Sequence, residues 1–311
     1  IPEMDQALDN IRLGDNVVWR VSHLQEFRYF CEPYVEQAIK DRRNIIYFRF
    51  ASHEPLVKEC SEVKRIEIPL SHQFENFTVE IHKVIEREGF DAFYVFDCLS
   101  ELQTAWATDL MMGNFFRVTC PFLFSLDTVA FFPIIRGKHS FHAVKKILNT
   151  TQLLLDVYSD PKNIYVRPAK VWNRDSETMF LPHIYKKEMG TFRPIRDGVQ
   201  SSRFYQILGK FQRPGEEQFT DSWDRFFNTA KMLYDNHMNT DEACNTMCDI
   251  MMTRDPKMRL MVKKHFTPED YFSVRNHMIG TGMIGGKACG MLLSRAIVRN
   301  LAPDINEVLE P

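Results

Sequence analysis

The stretch Asp91-Ala92-Phe93-Tyr94-Val95-Phe96-Asp97 decides the fold class. Five apolar or aromatic residues between two acids make a strand without a polar face, so both of its faces meet protein. Strands of this kind belong to parallel sheets covered by helices on each side. Upstream, residues 44–50 (Asn-Ile-Ile-Tyr-Phe-Arg-Phe) read as a strand, and residues 63–70 as a shorter alternating one. Phe74, Phe77, Ile81, Val84 and Ile85 recur at helical spacing before Gly89. Further back, Leu24, Phe27, Cys31, Tyr34, Val35 and Ala38 mark another helix, for which Ser22 is the expected N-cap with Gln25 three residues on. Arg12 to Trp19 reads as a turn feeding a short strand.

Downstream the alternation continues. Residues 101–125 look mainly helical with Pro121 interrupting, residues 128–135 are an apolar strand, and residues 139–148 suit a short helix. Residues 151–158 and 163–172 flank Ser159-Asp160-Pro161-Lys162, a hairpin signal. The expected fold is therefore α/β: a doubly wound, mostly parallel sheet with an antiparallel hairpin appended. Residues 174–218, rich in Pro, Arg and Lys, read as an irregular excursion and then a linker. From Phe219 onward the pattern is helical, with starts expected at Thr220 or Asp221, Thr240, Asp255-Pro256 and Thr267-Pro268. Methionines at 238, 247, 251, 252, 258 and 261 read as adaptable core filler.

Bulk composition bounds the function classes. The 311 residues are 44% hydrophobic and 26% charged, ordinary for globular chains and enough for two domains. A formal net charge of −2 argues against general nucleic-acid binding. The longest apolar run, residues 120–135, contains Asp127 and two prolines, which argues against a membrane span. Residues 1–5 do not form a signal peptide, and seven scattered cysteines fit a reducing cytoplasm. Cys244 and Cys248 could share a helix face with His237 upstream, but that is too few ligands for a metal site.

Glycines concentrate near the end of the chain, in Gly280-Thr281-Gly282-Met283-Ile284-Gly285-Gly286-Lys287-Ala288-Cys289-Gly290. A glycine turn followed by a lysine at a helix start suits an anion. The dinucleotide fingerprint matches by letter, but no strand precedes it and only 26 residues follow Gly285. The P-loop pattern fails because Thr281 stands at its first glycine and Ala288 at its hydroxyl position. Ile284-Gly285-Gly286-Lys287-Ala288, running into an apolar helix, resembles the start of the ATP-grasp domain of phosphoenolpyruvate synthase and pyruvate phosphate dikinase. The resemblance implies that Gly285, Gly286 and Lys287 approach ATP phosphates. The phosphohistidine of that family sits in a threonine-rich context on a separate domain. Here, Arg136-Gly137-Lys138-His139-Ser140-Phe141-His142 lacks the preceding threonine pair and reads as a strand-to-helix loop, whose two histidines could contact an anion or a partner.

The opening Ile1-Pro2-x-x-Asp5-x-x-Leu8, followed by Arg12-Leu13-Gly14-Asp15-Asn16-Val17-Val18, resembles the entry to the RecA/KaiC-like ATPase core. In that family the first strand runs into a Walker A loop. Here it runs into Val21-Ser22-His23-Leu24-Gln25-Glu26-Phe27, with neither glycine nor lysine. Asp97 stands where a Walker B aspartate would, a degenerate one without that loop, and Glu54 is the one acid that could substitute for a water-activating glutamate. The simpler reading of Asp97 is a strand-end acid satisfied by loop amides.

Together these readings predict a RecA/KaiC-like domain without a P-loop over 1–210, a helical connector over 211–278, and the start of an ATP-grasp-type domain over 279–311. They resemble the N-terminal region of phosphoenolpyruvate synthase or pyruvate phosphate dikinase-like proteins, whose phosphotransfer uses ATP and magnesium. The chain is expected to be a non-catalytic regulatory or scaffolding module, to bind neither cofactor tightly itself, and to work with downstream domains of the same polypeptide. A homo-oligomer is expected from edge-to-edge association of such cores. Two alternatives are a free-standing ATP-binding enzyme, kinase or ATPase, using Asp97, Glu54 and Lys287, and a protein-interaction module without a ligand.

Overall fold

The computed structural model describes residues 1–69, 74–103, 109–211, 222–278 and 282–306. By their contacts the residues fall into two compact units, one made essentially of the chain up to Asp221 and one from Ser222 onward.

The first unit is built on one sheet of nine strands among the described residues. They are β1 (Asn16–Val21), β2 (Ile45–Arg49), β3 (Val63–Glu67), β4 (Phe93–Phe96), β5 (Val129–Ile135), β6 (Leu153–Ser159), β7 (Ile164–Val171), β8 (His183–Lys186) and β9 (Thr191–Pro194). Their spatial order is β3-β2-β4-β5-β1-β6-β7-β8-β9. The six from β3 to β6 run parallel, and β7, β8 and β9 add on antiparallel. This is the doubly wound α/β class expected from the sequence, with the appended hairpin lengthened by two further strands.

Alternation along the strands assigns the two faces. Val17, Trp19 and Val21 of β1, with Tyr47, Val95, Phe131 and Leu155, bury against Phe27, Phe30, Cys31 and Val35 of α2 (Leu24–Lys40). A short helix, α1 (Pro2–Ala7), contributes Met4 and Ala7 to the same cluster. Phe96 and Phe132 point the other way, onto Phe115 and Phe116 of α4 (Asp109–Ser125). That layer also holds α3 (Phe74–Glu88) and α5 (Phe141–Thr150), which pack against α4. Aromatic side chains carry much of this packing because each buries a large area and adds edge or stacking contacts.

Residues 174–211 depart from the expected irregular excursion. They form β8, β9 and α6 (Gly198–Phe211). Phe204, Ile207 and Leu208 of α6 bury against Tyr158, Tyr165 and Ile195. Of the residues that suggested a loop, Arg193 and Pro194 lie in the edge strand β9, where a charge or a missing N–H is tolerated, Arg203 lies in α6, and Arg174 is buried against Asp15. The strand expected over 63–70 is shorter, Val63–Glu67.

The second unit is helical: α7 (Ser222–Asp235), α8 (Asp241–Met247) continuing through a π-turn at Cys248–Met252, α9 (Pro256–His265), α10 (Pro268–His277), α11 (Gly286–Leu301) and α12 (Pro303–Asn306). Its starts at Asp255 and Thr267 are as expected. Asp255 accepts from the Met258 amide at 2.8 Å, and Asp270 closes a capping box on Thr267 at 2.8 Å. The start expected at Thr220 or Asp221 lies outside the described residues. Met247, Met251 and Met252 are buried with Tyr271, Cys289 and Leu293, as expected of core filler, whereas Met238 and Met261 are exposed.

Trp19 lies at the centre of the first unit, fully buried and stacked on Phe30 with centroids 4.5 Å apart. Its indole N–H is buried without a hydrogen-bond partner. Trp19→Ala should cost about 3–5 kcal/mol of stability. Trp19→Phe should cost well under half of that, since it keeps the stacked ring and removes the orphan donor. Urea unfolding of both variants, followed by circular dichroism, checks the order; equal losses would contradict it.

Candidate functional site

In an open parallel sheet, ligands bind outside the carboxyl ends of the strands. Here that edge is occupied by a row of buried polar groups, each bonded to the chain itself.

At the end of β1 the chain turns through Ser22 and His23 into α2. A helix start offers unpaired N–H groups and a partial positive charge. Glu26 takes both. Its Oε2 accepts from the amides of Ser22 at 2.7 Å and His23 at 3.4 Å, and its Oε1 accepts from Ser159 Oγ at 2.5 Å. The side chain is buried, with 3% of the residue exposed. The cap is therefore His23 with Glu26, one residue later than the Ser22 and Gln25 pair expected. Glu26 wins because its carboxylate reaches two amides and also ties the helix start to the end of β6.

Beside it, Arg20 of β1 makes a two-pronged ion pair with Asp156 of β6, at 2.5 and 2.7 Å. Arg136, just past β5, stands 3.7 Å from the same carboxylate and donates to the carbonyls of Arg20 and Val157. Its guanidinium lies over the Tyr158 ring at 3.8 Å. Burial alone would raise the Asp156 carboxyl, but Arg20 and Arg136 hold it below the ordinary aspartate range.

At the end of β4, Asp97 is wholly buried. It accepts from Arg49 Nη1 at 2.6 Å, from the amides of Phe50 and Ala51 at 2.9 and 3.0 Å, and from the Tyr47 hydroxyl. Burial and the adjoining carboxylate push the Tyr47 phenol up, so it remains a donor. This is the strand-end acid satisfied by loop amides, with an arginine added. Its nearest histidine is His53, at 3.8 Å, while the Glu54 side chain is 88% exposed and faces Arg28 at 3.7 Å. The structure thus brings His53, not Glu54, to Asp97.

A cleft of about 930 Å³ opens next to Glu26 and is bounded by Tyr29, Lys162, Tyr185, Lys186 and Arg203. The strand-to-helix loop expected over 136–142 is present but shorter, over 136–140, because Phe141 and His142 open α5.

In the helical unit, Gly285 is the N-cap of α11, and Gly286 and Lys287 open its first turn. All three are exposed. Among the described residues no side chain caps this helix start. A Cβ added at Gly285 or Gly286 would meet nothing within 4 Å, and Gly285 has an ordinary φ of −63°. Neither crowding nor backbone conformation within the described residues demands glycine there. Gly280 and Thr281 lie outside the described residues. Among the described residues no cluster of three or more His, Cys, Asp or Glu is suited to a metal, and no helix is long and apolar enough to cross a membrane.

By sequence the chain matches no protein-family description and no curated protein. By structure it is similar to the ATPase domain of a helicase, with 8% identity and a TM-score of 0.45 over 63% of this chain and 89% of that one. It is also similar to the flagellar accessory protein FlaH from Methanocaldococcus jannaschii, with 10% identity and a TM-score of 0.44 over 59% and 90%. At these values the likeness is distant, and the α/β class of the first unit stands on its own sheet order.

Sequence reasoning missed Glu26, Arg20, Asp156, Tyr47 and Arg49. Arg49 and Asp156 did carry a signal, as lone charges within apolar strands. Removing one partner of a buried pair leaves an uncompensated charge. Asp97→Asn should therefore destabilise the first unit by about 3–5 kcal/mol, read from the denaturant midpoint; an unchanged midpoint would contradict this account of Asp97.

The pH dependence of Asp156 has a definite sign. Its folded-state pKa lies below the unfolded value, so the unfolded chain binds the proton more readily. The stability it contributes is complete above the ordinary aspartate range and is lost as pH falls through its lowered folded value. Asp156→Asn should lower stability at neutral pH and flatten its decline on acidification, measured by melting temperature from pH 7 downward.

Proposed function

We propose that this chain is a non-catalytic regulatory or scaffolding module of an ATP-dependent phosphotransferase of the phosphoenolpyruvate synthase and pyruvate phosphate dikinase type. The observation that carries the non-catalytic part is the Glu26 carboxylate at the start of α2. A Walker A loop holds phosphate through free backbone amides and a lysine. Here two amides at the equivalent turn already serve a carboxylate, which would repel a phosphate brought to the same place. At about 4 Å and an effective dielectric of about 20, that repulsion is on the order of 4 kcal/mol per charge pair. Asp97 is likewise bonded to four donors of its own chain, which disfavours a magnesium-holding role.

The phosphotransferase part rests on the resemblance at residues 284–288. The exposed glycines at 285 and 286 support it, because they leave room for a phosphate beside Lys287. ATP and magnesium would then belong to the parent protein, and the partners would be its downstream domains. A lysine–phosphate contact contributes roughly 1.5–3 kcal/mol. Even millimolar affinity requires roughly 4 kcal/mol, so this chain alone should bind ATP weakly.

The 311-residue chain should show no magnesium-dependent ATP hydrolysis and no ATP binding tighter than about millimolar by calorimetry. Lys287→Ala should leave its melting unchanged. Magnesium-dependent turnover lost in both Asp97→Asn and Lys287→Ala, with each variant still folded, would instead favour the free-standing ATPase.

A further inference from the structure

A second polar network on the same sheet edge has a different chemistry. Ser100 follows the end of β4 in a single 3-10 turn, Leu99–Glu101. Its Oγ lies 2.7 Å from Nε2 of His139, in the loop after β5. Nδ1 of the same ring lies 2.7 Å from Oδ1 of Asp109, at the start of α4. The other carboxylate oxygen accepts from the amide and hydroxyl of Ser140, at 2.8 and 2.5 Å.

A carboxylate can only accept, so Nδ1 carries a hydrogen, and in the neutral ring Nε2 then presents its lone pair to the serine hydroxyl. The Ile135 amide donates to the same Oγ at 2.8 Å. Ser100 is thus polarised from both sides: the imidazole draws off its proton while an amide stabilises the charge left on oxygen. Burial alone would raise the Asp109 carboxyl, but its bonds from His139 and Ser140 lower it, so it stays ionised to hold an imidazolium. Nucleophile, base and orienting acid are each in bonded reach of the next, the geometry by which such a triad is recognised.

We propose that Ser100 is an activated nucleophile and a site of covalent acylation by small activated acyl donors such as esters, thioesters and acyl phosphates. Oγ bonds to the carbonyl carbon as its proton passes to Nε2 of His139. The carbonyl π pair moves to oxygen and returns as the bond to the leaving group breaks, and the leaving atom takes the proton from Nε2.

Two features set the limits of the reaction. Ser100 is 2% exposed and His139 7%, so donors with bulky acyl groups are excluded. The amide of Glu101, next after the nucleophile, already donates to the Cys98 carbonyl at 3.0 Å. That donor is absent from any oxyanion, which slows acylation and deacylation alike; a donor with a good leaving group offsets the first but not the second, so the acyl group accumulates. The site is independent of Glu26, Asp97 and Lys287, and of the function proposed above.

The probe is p-nitrophenyl acetate with the full chain. A burst of p-nitrophenolate near one equivalent is expected, with one acetyl group located on Ser100 by peptide mass spectrometry. Acylation should be markedly slower with p-nitrophenyl octanoate. His139→Gln should slow it by roughly 10²–10⁴-fold. Comparison with the urea-unfolded wild-type chain needs no variant to fold. If Ser100 of the folded chain takes up no acetyl group, or reacts no faster than in the unfolded chain, the proposal is overturned.

Discussion

A charge removed from water must be matched by donors or an opposite charge, and the carboxyl edge of this sheet is organised by that requirement. Glu26, Asp97, Asp109 and Asp156 are all buried there. Each is matched from a different element: a helix start, a neighbouring strand, a strand-to-helix loop, a pair of arginines. The matches also connect distant parts of the chain. Glu26 joins α2 to the end of β6, and Asp97 joins β4 to β2 and the turn after it. The edge is therefore a set of cross-links between strand ends, and removing any one acid leaves orphan donors behind.

This arrangement alters what the fold can do. The doubly wound topology leaves a crevice where connections depart to opposite faces, and polar groups in that crevice usually remain free for a ligand. Here Arg136 bonds to the carbonyls of Arg20 and Val157 across that place. The architecture is retained while its polar groups serve internal structure, and for that reason fold and activity are argued separately for this chain. The serine, histidine and aspartate between β4 and β5 differ in one respect. Their bonds are satisfied too, but with the ring neutral they leave a base facing a hydroxyl.

The sheet was legible because its strands are short apolar runs with acids or turns at their ends. A strand such as Phe93–Phe96, buried on both faces, has no alternative use in a chain of this composition. The antiparallel extension was half legible: the hairpin at Asp160 announced itself, whereas β8 and β9 are four residues each, and Lys186, Arg193 and Pro194 within them mimic a loop. The site was less legible than the fold. Glu26 gave no sign, since a glutamate in the first turn of a helix is usually solvated, and its role depends on Ser159, 133 residues away. The Ser100 network was hidden for a similar reason. His139 stood out in the sequence, but nothing local linked it to Ser100 or Asp109, which parallel strand order brings together from separate connections.

Two helix starts show how the same physics can be closed or left open. At α2, the partial positive charge and unpaired amides are taken by a carboxylate three residues into the helix, and the cost is that no outside anion can use them. At α11, glycine occupies the N-cap, the side chains that usually cap are missing, and Lys287 stands exposed in the first turn. Glycine at an N-cap is only slightly worse than serine or aspartate, so the helix loses little stability by it. What it gains is clearance: with no Cβ at 285 or 286, backbone amides can be approached from outside. At the first start the amides serve the chain's own cohesion; at the second, no side chain among the described residues takes them.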